Sequence, residues 1–266
     1  MDKAIARSRV HRWKQWLPAW VLLGLLLTLW LIVTTWRLVP PFVLPPPQAV
    51  GQRLAEGVAS GLLPRMAATT LAEAGLGCMG AVVLGVPLAY AVFRWRMVDR
   101  ALSPYIAASQ AIPAIALAPL LVLWVGYGLA PIVVLTTLMV FFPVFVATLH
   151  ALRSVDRDVL DAARLDGAGP RQLLRYIYAP MALPGFLAGL RAGLPLSITG
   201  AVVGEFVMGG QGLGLLLSVQ RENANTAGLF ATISVLGALA ALIYLLVAQV
   251  ERRSRTVRAL RSWEVM

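Results

Sequence analysis

The residues of this chain best placed to do chemistry stand between Arg153 and Pro184. Asp156, Asp158, Asp161, Arg164 and Asp166 fall in one short stretch, and Arg171 and Arg175 in the next. Carboxylates this dense can serve acid–base or metal chemistry only with partners, and the partners are absent. His11 and His150 read as solvated or capping residues rather than bases or ligands, and Cys78, the sole cysteine, lies in an apolar run, so neither a cysteine zinc site nor an intrachain disulfide can be built. The sequence has no G-x-x-x-x-G-K-[ST], G-x-S-x-G or H-E-x-x-H. Gly209-Gly210-Gln211-Gly212-Leu213-Gly214 is glycine-rich but lacks the following lysine, and reads as a tight turn outside the membrane. No catalytic residue, metal or cofactor is expected in this chain.

The same stretch is better suited to docking. Asp156 can cap a helix start, Asp158 places an acid in its first turn, and Gly167 can end it. Pro170 can begin a second helix, in which Leu173, Leu174 and Ile177 share a stripe, and Pro180 is expected to stop it. Ala162 and Ala163 keep the first helix slim, so another protein surface can approach its backbone closely.

These elements sit in a chain of 266 residues that is 59% hydrophobic and 13% charged, about half the charged share of a soluble domain. It reads as an all-α membrane bundle. Uncharged runs place spans at 15–36, 74–93, twice within 101–152 with a turn at Gly126-Tyr127-Gly128, and at 223–250; a further span at 187–207 carries Arg191 near one end, where its stem can snorkel, making six in all. Residues 1–14 and 251–266 flank this 15–250 domain, and the 153–184 loop belongs to it. Residues 45–63 look like a surface helix, either a lid on the membrane or a docking site for an external partner. Ser109, Gln110, Thr199 and Glu205 are polar groups in or at the ends of spans. They are candidates for a solute pathway or, equally, for interhelical hydrogen bonds. Gly77, Ala81, Gly85 and Ala89, and Gly185, Gly189 and Gly193, recur every fourth residue and make two smooth ridges for helix contact.

Lysine and arginine collect in the N-terminus, in 94–100, in 153–175 and in the tail, leaving only Arg37, Arg53, Arg65, Arg191 and Arg221 elsewhere. This asymmetry puts both termini on the cytoplasmic side. It also accounts for the net charge of +11 through topology and anionic lipid, without nucleic acid.

Asp161-Ala162-Ala163, three residues, Gly167, nine residues and Ile177-Tyr178-Ala179-Pro180 resembles the EAA loop of permeases in ATP-binding-cassette (ABC) importers, E-A-A, three residues, G, nine residues, I-x-L-P. Asp161 replaces the usual Glu and Ala179 the usual Leu. The resemblance runs from Leu44-Pro45-Pro46-Pro47 through Val202-Val203-Gly204-Glu205 to Gly212-Leu213-Gly214, and points to the nitrate, sulfonate and taurine branch. It implies a type I importer permease of a prokaryotic cell membrane, working by alternating access. It further implies a second permease copy, ABC ATPase subunits that hydrolyse ATP, and an extracytoplasmic binding protein. Asp161, Ala162, Ala163, Arg164, Asp166 and Gly167 would then couple to the ATPase. The stretch 114–128 is similar to branch members that carry riboflavin or the thiamine pyrimidine, with sulfonate, taurine or nitrate as the alternative. A secondary transporter would need mid-bilayer carboxylates, whereas Glu73 and Glu205 are expected at span ends. A membrane enzyme finds only Asp166-Gly167 with Arg171, faintly similar to lipid phosphotransferases and without their second aspartate pair.

Overall fold

The computed structural model describes residues 2–253. Arg255, Arg258 and Arg261 of the expected tail lie outside the described residues. Every regular element among the described residues is helical. In chain order they are α1 (Asp2–Thr35), α2 (Pro47–Ala59), α3 (Leu62–Arg94), α4 (Arg96–Ser109), α5 (Ala118–Val125) and α6 (Leu129–Arg153). There follow α7 (Arg157–Leu165), α8 (Pro170–Leu173), α9 (Ala179–Met208), α10 (Leu213–Glu222) and α11 (Thr226–Arg253). α3, α6, α11 and the continuous α8–α9 stretch contain the four segments long and apolar enough to cross a bilayer; Trp20–Thr35 and Ala114–Val125 are shorter apolar helices.

Three boundaries differ from the sequence expectation. The second span is not confined to 74–93: the helix begins at Leu62 directly after the surface helix, with Gly61 in the left-handed region (φ 74°) making the corner, so Glu73 lies inside α3 rather than at its end. The run 101–125 is not one continuous helix. The chain leaves α4 at Ser109, passes Pro113, which has no N–H to donate, makes a short 3-10 turn at Ala114–Leu117 and resumes as α5. Ala114–Val125 therefore rises only about 18 Å, short of the roughly 30 Å hydrocarbon core. Third, Pro180 does not stop the helix begun at Pro170. Leu174–Tyr178 widens into a π turn, which accommodates the missing proline N–H, and the chain continues into α9.

α6 lies at the centre of the bundle between α3 and α9, and the two glycine ridges explain why. Lipid gives helices little hydrophobic reason to associate, so close backbone approach must do it. On one side Thr137 of α6 donates to the Gly77 carbonyl of α3 at 3.2 Å, and Ala81 and Ala89 are wholly buried. On the other, a Cβ added to Gly189 would stand 2.8 Å from the Pro143 carbonyl oxygen, and one added to Gly200 would stand 2.9 Å from Thr136 Cα. Only glycine fits there.

Around this core α11 packs on α2, α9 and α10. The Thr226 hydroxyl donates to the Phe42 carbonyl at 2.7 Å, and Trp30 of α1 donates to the Pro45 carbonyl at 3.0 Å. The expected surface helix is α2, which turns Val50 inward. Gly126 and Gly128, with φ of 90° and 107°, make the expected turn into α6; side chains avoid that region.

Candidate functional site

α7 is built as its sequence dictates. The Asp156 carboxylate accepts from the Asp158 N–H at 2.9 Å, and Gly167, at φ 83°, lets the chain turn out of the last turn. Gly169 donates to the Gln172 side-chain oxygen at 2.8 Å and so starts α8. The helix is held from beneath, where Leu160 and Val155 pack on Leu173 with Ile177 and Tyr178 around them. This leaves the opposite face to solvent: Asp161, Ala162, Arg164, Asp166 and Gly167 are exposed and Ala163 half-buried. Arg164 bonds Asp161 at 2.8 Å, one turn apart.

Two exposed residues on this face escaped the sequence reading. Val159 and, above all, Leu165, 89% exposed, flank Ala162 at threefold spacing and make an apolar ridge on the outer side of α7. A large leucine left in solvent beside small residues is what a partner groove would take. The signal was the second apolar period in α7, out of phase with Leu160.

Behind α7 a cleft of about 710 Å³ opens between that helix and the ends of α3, α4 and α6. Arg96, Asp99, Arg153, Arg157, Asp161 and Arg164 line it. Asp99 pairs with Arg153 at 2.9 Å and accepts from Ser103 at 2.7 Å. The Ser103 hydroxyl and the Arg153 guanidinium hold the Asp99 carboxyl below its usual range.

The four pathway candidates fall in different settings. Glu205 is fully buried, receiving the Thr70 hydroxyl at 2.7 Å and the Gly214 N–H at 2.5 Å. Thr70 in turn accepts from the Leu213 N–H at 2.9 Å. The first amides of α10 are thus satisfied by α9 and α3, which pins the glycine-rich turn. A Cβ at Gly210 would meet the Glu205 side chain at 2.8 Å, so the glycines make room for this carboxylate. Glu73 lies beside Glu205, and its Oε2 is buried without a hydrogen-bond partner among the described residues. Ser109 and Thr199 bond back to their own helices, through the Ile106 carbonyl at 2.9 Å and the Pro195 carbonyl at 3.2 Å. Gln110 is exposed at the end of α4, and Thr199 is exposed on α9. Among the described residues no hydrogen bond joins any two of the four.

Residues 81–256 match the family described as binding-protein-dependent transport system inner membrane component. The chain belongs to that family. It is 40% identical over 234 residues, 87% of each chain, to the riboflavin transport system permease protein RibX of Chloroflexus aurantiacus. To the formylaminopyrimidine transport permease protein ThiX of Halalkalibacterium halodurans it is 38% identical over 182 residues, 68% of this chain and 73% of that one. To the taurine transport system permease protein TauC of Escherichia coli it is 32% identical, over 87% and 86%. The fold is similar to that of a chain in the inward-facing MetNI methionine ABC transporter, with a TM-score of 0.63 and 22% identity over 71% of this chain and 94% of that one. This chain is therefore an ABC importer permease, a transport component rather than the enzyme of its system.

Proposed function

We propose that this permease forms half of the pathway of an importer for a small heteroaromatic vitamin or vitamin precursor, with a second copy supplying the other half. ATPase subunits dock on α7, and an extracytoplasmic binding protein delivers the solute to the opposite end. The observation that carries the coupling role is α7 itself: anchored by Leu160 beneath, it offers Val159, Ala162 and Leu165 outward, so a push on it is passed through α8 into α9 without a break in the helix. In this reading α1 and the α4–α5 segment complete six crossings and both termini are cytoplasmic. The vitamin class is supported by the relatives named for riboflavin and formylaminopyrimidine transport.

A sulfonate such as taurine is the second reading, supported by the 32% identical relative. Arg191, an arginine well inside α9, does not favour it: its guanidinium is bonded to the Tyr244 hydroxyl and lies 4.5 Å from that ring's centroid. Uptake by proteoliposomes holding the permease, its ATPase and its binding protein decides between them. ATP-dependent accumulation of riboflavin or formylaminopyrimidine, with taurine excluded, is expected; taurine accumulation alone would replace the first reading. Transport on a proton or sodium gradient without the ATPase would overturn both. A charged residue at Ala163 or a bulky one at Gly167 should uncouple ATP hydrolysis from uptake.

A further inference from the structure

The cleft between α7 and the ends of α3, α4 and α6 shares Asp161 and Arg164 with the proposed coupling residues, but its other charged groups, Arg96 and Arg157 above all, have no part in that proposal. Of its four arginines two are committed, Arg153 to Asp99 at 2.9 Å and Arg164 to Asp161 at 2.8 Å. Arg96 and Arg157, from opposite walls, have no hydrogen-bond or ion-pair partner among the described residues. Each is the first residue of its helix, α4 and α7; the start of α7 is already capped by the Asp156 carboxylate, whereas α4 has no side-chain cap, so one uncapped helix start adds its positive end to the cleft. The two acids on the lining are already neutralised, which leaves a net positive site. Its remaining wall is apolar, with Phe93, Leu152, Leu160 and Tyr178.

Two free guanidiniums facing one cavity match the oxygens of a phosphate group, which arginine binds in a planar fork. An apolar wall beside them suits a phosphate that carries a carbon stem. We infer that this cleft binds the phosphate of an anionic phospholipid headgroup, bridging Arg96 on α4 and Arg157 on α7. A headgroup held there ties the start of α7 to the α3–α4 corner, so the lipid would set how freely α7 moves against the bundle. The inference rests on the proposed orientation, in which this end of the bundle meets the anionic cytoplasmic leaflet. It does not use the ATPase docking ridge, which lies on the other side of α7.

The test is lipid retention by the full-length chain. Wild type is reconstituted with phosphatidylcholine and phosphatidylglycerol, extracted in mild detergent, and the bound lipid is identified by native mass spectrometry. Phosphatidylglycerol should be retained in preference to phosphatidylcholine. The Arg96→Gln/Arg157→Gln variant should retain about tenfold less, whereas Arg53→Gln/Arg65→Gln, which removes the same charge elsewhere, should match wild type. The Arg96→Lys/Arg157→Lys variant, which keeps the charge without the fork, should fall between them and guards against misfolding of the Gln variant. Displacement of the lipid by inorganic phosphate would support the shared phosphate chemistry with a soluble source; its failure to compete identifies the headgroup. Equal retention by the Gln variant and wild type would overturn the site. So would a Gln variant that keeps its lipid and loses only capture of the ATPase, since the cleft would then receive an acidic side chain of that protein. Loss of docking by a ridge variant such as Leu165→Asp with lipid still bound separates this inference from the coupling proposal.

Discussion

Glu205 shows what it takes to keep a carboxylate inside an apolar bundle. Its two oxygens are occupied by Thr70 and by the Gly214 amide, and Thr70 passes the support on to Leu213. Thr70→Val keeps the shape, removes the hydroxyl and leaves the Leu213 N–H buried without an acceptor. The expected cost is about 1–3 kcal/mol, seen as a lower thermal unfolding midpoint in detergent and largely restored by Thr70→Ser. An unchanged midpoint for the valine variant would show that the α10 amides find other acceptors. The Asp156 cap was legible because it spans two residues of sequence. Glu205 was legible only as a polar residue in an apolar run: its partner Thr70 is 135 residues away, and nothing local marks it.

At the scale of elements, glycine spacing predicted contact faces well because in a bilayer close backbone approach depends on small residues. Gly189→Leu should therefore drive α9 from the Pro143 carbonyl and destabilise the bundle by about 1–3 kcal/mol or more. Gly75→Leu, where an added Cβ has nothing within 4 Å, should be close to neutral in the same unfolding assay. Proline positions were less informative, since a helix can pass a proline by widening one turn, as at Leu174–Tyr178, or stop before it, as at Pro113. The choice depends on what the neighbouring helices cover.

The corner between α4 and α6 adds a pH prediction. The Asp99 carboxyl is held below its usual range by Ser103 and Arg153, so its contribution is present above the unfolded carboxylate value and fades as pH falls through the lower folded one. Asp99→Asn should thus lower the unfolding midpoint near neutrality. That difference should close below about pH 4; a gap that persisted into acid would assign the effect to packing instead of charge.

For the whole molecule, composition and the sidedness of arginine announced a membrane bundle, and the Asp161–Pro180 pattern resembles the EAA loop in sequence alone. The number and length of crossings were less legible. Apolar runs record where charge is missing, whereas the path of the chain also depends on breaks such as 110–113 and on continuations such as 62–73. The central claim is that α7 is the surface through which an ATPase moves this bundle. It is tested most directly by capture of the detergent-solubilised ATPase on the immobilised permease, wild type against Leu165→Asp, at a position 89% exposed and so neutral to folding. The account predicts that the variant folds as wild type does and loses at least about tenfold in affinity, the scale of one buried apolar anchor. Undiminished capture by a folded variant would contradict it.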